Sequence, residues 1–126
     1  MQSLHLYAAW IVIFFGFLAG AGLGLFFHQD GWLGGYSSWP RRMARLGHIS
    51  FFGIALINRA YGVSVAVSQR IVASSMASAL LICGAISMPL VCFLSAYKKP
   101  FRHLFFIPVL SLMIGTLIIL MGGLPL

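Results

Sequence analysis

Acid is almost missing from this chain. Asp30 is the single carboxylate side chain among 126 residues, against eight lysines and arginines, and charged residues of both signs make up only 7%. A water-soluble domain usually devotes about a quarter of its residues to Asp, Glu, Lys and Arg, so the polar material needed to clothe a soluble core is lacking. The shortage also excludes a function class. Proton-coupled carriers keep an ionisable carboxylate inside the membrane, whereas Asp30 follows His28 at the edge of an apolar run. Cysteine is scarce as well. Cys83 and Cys92 stand nine residues apart in one apolar run, which at about 100° per residue places them on opposite helix faces, unable to bond to each other or to chelate one metal as a pair. No phosphate-cradling glycine loop, zinc motif or hydrolase elbow is present. Catalysis by the chain on its own is therefore not expected.

What the sequence does have is grease: 61% of its residues are apolar and 14% aromatic. At roughly 20 apolar residues per helical span, the length allows four crossings and no soluble domain beside them. The expected fold is an all-α membrane protein, a single transmembrane domain over 1–126 with helices at about 4–27, 39–61, 71–97 and 103–121. The first run lacks a basic leader and a small-residue cleavage site, so it reads as a retained helix rather than a signal peptide.

The second helix admits two registers. One starts at Leu46 and leaves Arg59 near the bilayer centre, where an unpaired arginine costs at least roughly 2.5 kcal/mol. The other uses Ser38 as cap, Pro40 in the first turn and Gly62 as terminator, which puts Arg59 in the last turn and His48 in the membrane's middle third. The second is preferred, because both ends then carry helix-end chemistry. Val63 to Ser68 is expected to form an irregular link, the third helix to begin near Arg70 or Ile71 and to kink at Pro89, and Lys98 to Arg102 to form a tight basic turn.

A net charge of +7 raises the question of nucleic acid, but the basic residues sit in short loops between apolar runs, where they orient a membrane protein. Arg41, Arg42, Arg45, Lys98, Lys99 and Arg102 fall on one side, and Arg59 and Arg70 on the other. Both termini are thus expected on the non-cytoplasmic side, and the basic rim is expected to attract anionic lipid headgroups. A bacterial inner membrane is the expected location.

Gly16, Gly20 and Gly24 recur every four residues in the first helix, a spacing that lets another helix approach closely. Among the histidines, His5, His28 and His103 fall at helix ends and read as interfacial side chains. His48 lies deeper and needs a partner in hydrocarbon. A hydrogen bond to Ser50, Ser78 or Ser87 is the plainer expectation. The alternative is a cofactor, haem b or a chlorin, held by His48 as axial ligand, with Met88 as a weak second ligand and Arg59, eleven residues on and nearly on the same face, meeting a carboxylate. No cofactor is the default. Asn58 should also find a partner within the bundle. Two function classes follow: a small accessory subunit of a larger, energy-converting (electron-transport) membrane complex, or an electron-transfer or pigment protein built on His48. A small channel or carrier oligomer ranks third.

Overall fold

The computed structural model describes residues 2–68, 71 and 73–123. Four long helices, α1 (Gln2–Phe27), α2 (Trp39–Val67), α3 (Ser75–Tyr97) and α4 (Phe106–Gly123), make up nearly all of it, with 3-10 turns at Trp32–Gly34 and Lys99–Phe105 and no strand among the described residues. Four apolar spans result, the fourth counted from Lys99 through the 3-10 turn to Gly122, each long enough to cross a membrane. Each helix packs chiefly on its neighbours in sequence: α1 on α2, α2 on α3, α3 on α4.

The first hairpin shows why the chain turns where it does. Gly34 and Gly35 take positive φ values of 89° and 98°, a region open to glycine at little cost. Ser38 then starts α2: its hydroxyl accepts from the Arg41 amide at 3.3 Å and donates to the Leu33 carbonyl at 2.7 Å, and Pro40 occupies the first turn, where its missing N–H leaves nothing unpaired. Arg41 completes the corner. Its guanidinium donates to the carbonyls of Phe27 at 2.7 Å and of Gln29 and Asp30 at 3.2 Å each, and lies over the Phe27 ring at 4.8 Å. The last carbonyl of α1 and two carbonyls of the turn after it are thereby held by a residue expected to meet lipid, and only 4% of Arg41 remains exposed.

α2 does not stop at Gly62. It continues to Val67, and Val63 to Val67, expected to be irregular, is helical. Gly62 is there for close approach: a Cβ at this position would lie 3.3 Å from the Gln2 carbonyl oxygen and 3.3 Å from the Cβ of His5. The same bare surface that would suit a helix terminator admits the start of α1 instead. Arg59 consequently lies two turns before the end of α2 rather than in its last turn. α3 begins at Ser75, later than expected, where the Ser74 hydroxyl accepts from the Ala77 amide at 3.3 Å; Arg70 lies outside the described residues. Pro89 stands inside α3, and Cys83 is exposed while Cys92 is buried, as their angular separation requires. The last helix begins at Phe106 after the 3-10 turn, so Pro108 falls in its first turn. Gly84 of α3 takes the Leu112 side chain of α4 directly against its backbone.

Candidate functional site

Antiparallel packing of α1 on α2 sets which residues share a level. At one end Gly62 meets Gln2 and His5; further along Gly16 meets Phe51 and Phe52, and Gly20 meets the His48 ring. The basic end follows, where Arg41 ties α2 to the end of α1. There Trp39 donates its indole N–H to the Ser95 carbonyl at 2.9 Å, and Arg42 and Lys99 approach the same indole at 5.9 and 5.3 Å. Arg45 lies over the Tyr36 ring at 3.9 Å. The six basic residues predicted for one side thus gather at one end, with Arg42, Lys98, Lys99 and Arg102 exposed and Arg45 half-buried.

The most organised polar group lies at the opposite end and centres on His5, which is fully buried. Its surroundings fix the direction of every hydrogen bond. The Asn58 Nδ2 amino group donates to the Ile54 carbonyl one turn back at 3.0 Å, leaving Oδ1 free to accept from His5 Nδ1–H at 2.8 Å. His5 Nε2 then carries the lone pair, so the Ser78 hydroxyl must donate to it, at 2.7 Å. The edge of the Tyr61 ring meets the imidazole at a centroid distance of 4.6 Å. Its hydroxyl accepts from the Ser74 amide at 3.0 Å and lies 3.3 Å from the Ser74 carbonyl, to which it donates. Three helices therefore supply one continuous chain of hydrogen bonds, from Ser78 through His5 to Asn58 and the Ile54 carbonyl, its two links between helices worth about 0.6–2 kcal/mol each. The solvated or lipid-facing side chain expected for His5 is corrected here: it stays near the end of α1 but is wholly enclosed, because α2 and α3 both reach its level.

His48 is turned towards α1. A Cβ on Gly20 would lie 2.7 Å from its Cε1, and the Phe52 ring stands edge-on at 5.4 Å. It is level with Gly20, which lies between the midpoint of α1 and its Phe27 end. The hydroxyls considered as partners are engaged elsewhere: Ser50 with the Gly47 carbonyl, Ser87 with the Cys83 carbonyl, Ser78 with His5. His48 Nδ1 is buried with no hydrogen-bond partner among the described residues. Met88 on α3 is half-buried, and Arg59 is exposed at the His5 end. Among the described residues no contact brings His48, Met88 and Arg59 together, and no three His, Cys, Asp or Glu side chains gather in a set able to hold a metal ion.

The glycine stripe divides. Gly16 and Gly20 are used within the chain against Phe52 and His48, while a Cβ placed on Gly24, or on Gly22 beside it, would meet nothing within 4 Å. No family model, curated protein or solved structure matches the chain.

Proposed function

We propose that this chain is a small integral-membrane subunit of a larger membrane assembly, in a cytoplasmic membrane with its basic end on the cytoplasmic side and in contact with anionic lipid. One observation carries the assembly reading. The close-approach stripe of α1 runs past its last internal contact: Gly24 and Gly22 open onto empty space in a helix that buries only His5, Ala9 and Gly16. Small residues serve helix association in lipid by letting backbones approach, and a second helix of another polypeptide would use this stretch. The basic residues around Trp39 supply the lipid contact.

Extraction from native membranes in mild detergent, followed by native electrophoresis, tests this. Comigration with larger polypeptides in fixed ratio is the expected result, and Gly24→Leu should release them without unfolding the chain. A wild-type chain that runs alone would overturn the assembly reading. A second reading, electron transfer through a haem or chlorin on His48, is favoured by the unpartnered Nδ1. It requires a visible absorption band in the purified protein that is lost in His48→Ala.

A further inference from the structure

We infer that Ser78, His5 and Asn58 form a nucleophile, base and orienting group for hydrolysis of an ester-linked acyl lipid at the His5 end of the bundle. The connectivity is that of an activated serine. Its hydroxyl is 2.7 Å from an imidazole nitrogen held as acceptor, and the other ring nitrogen is pinned 2.8 Å from an amide oxygen whose own orientation is fixed by Ile54. Nucleophilic catalysis needs these three roles within hydrogen-bond reach. Helix packing delivers them from positions 5, 58 and 78, so no local sequence motif announces them.

The surroundings say which substrate. Ser78 is 5% exposed, and the surface it shows lines a groove formed by Leu4, Ser75, Ala79, Ile82 and Ile86. That groove runs along α3 from its first turn towards the middle of the membrane, an apolar track suited to an acyl chain. Ser78 itself sits in the first turn of α3, so it lies near the boundary between hydrocarbon and headgroups, the depth of a glycerolipid ester. The first-turn amides of Ser75 and Met76 have no intrahelical partner and can receive charge developing on a carbonyl oxygen. Arg59, exposed at the same end, offers a cation for a lipid phosphate.

The step balances with water as co-reactant. Ser78 Oγ bonds to the ester carbonyl carbon as its proton passes to His5 Nε2. The carbon–alkoxide bond then breaks, and the leaving oxygen takes that proton from His5. Water next loses a proton to Nε2 and attacks the acyl carbon, and the Ser78 Oγ–carbon bond breaks with return of the proton, releasing a carboxylic acid. Asn58 is a neutral orienting group that holds the tautomer without a countercharge for the imidazolium, so turnover should be slow.

The test uses the purified full-length chain reconstituted in vesicles of phosphatidylethanolamine and phosphatidylglycerol. A fluorophosphonate probe should modify Ser78 in preference to the other serines, as located by peptide mass spectrometry. Fatty acid release from the vesicles should fall about a hundredfold in Ser78→Ala and in His5→Gln, the size expected for loss of nucleophile or base. Labelling of the wild type needs no variant to fold, so the inference can fail on that measurement alone. A wild type that neither labels at Ser78 nor releases fatty acid overturns it and leaves the cluster as a packing device. Release that survives Ser78→Ala overturns it equally. The assembly reading stands or falls separately, on comigration.

Discussion

Two histidines lie in the contact between α1 and α2, and the protein treats them oppositely. His5 has both ring nitrogens bonded, to Asn58 and Ser78. His48 keeps a buried nitrogen without a partner among the described residues and is held by shape, against Gly20 and Phe52. The difference lies in what α3 brings to each level: a hydroxyl beside His5, but only Cys92 and Phe93 against Gly47, next to His48. At His5, α3 arrives with Ser78 to complete what α2 begins. At His48 the serines of the neighbouring turns have already bonded to backbone carbonyls on their own helices.

The comparison can be broken most severely at the bonded histidine. Asn58→Leu leaves His5 Nδ1–H unpaired and removes the group that fixes its tautomer. A loss of about 2–3 kcal/mol is expected, the cost of stranding a buried donor, read as a lower thermal unfolding midpoint in detergent. At the other histidine the response should be weaker. Gly20→Ala puts a methyl group into the imidazole, but the ring is the free end of its side chain and can swing aside, so about 1 kcal/mol is expected, the low end of overpacking costs. Smallest of all should be His48→Phe, which removes no hydrogen bond made within the described chain and keeps the ring. A change within about 0.5 kcal/mol is expected, as for substitutions outside a bonded network. A much larger loss, measured in the same unfolding assay, would show that Nδ1 does have a partner in the purified protein and would favour the cofactor reading.

Much of this fold is legible from composition alone, because a 126-residue chain with one acid and four apolar stretches has little else to become. Ser38 and Pro40 mark the start of α2 correctly, since capping is a local affair settled within four residues. Gly62 misleads for a physical reason: a missing side chain serves a helix end and a close helix crossing equally well, and only the partner decides which. The same holds for Arg41, whose charge could find headgroups or carbonyls, and finds carbonyls because the end of α1 lies just across the hairpin. The role of His5 is hidden in the sequence because its partners are distant along the chain. A signal is nevertheless available. Counting equal distances outward from the hairpin turn near Leu33 brings residue 5 level with residue 61, beside Asn58, a polar side chain in need of a partner. No comparable count reaches Ser78, because the stretch between α2 and α3 does not turn at a predictable point.

The extra length of α2 alters the landscape at that end of the molecule. With Gly62 level with Gln2, five further residues carry the helix about 7 Å beyond the start of α1 at 1.5 Å per residue. They run past α1 alongside the last turns of α4, where Ser64 shares a hollow with Thr116 and Ile119.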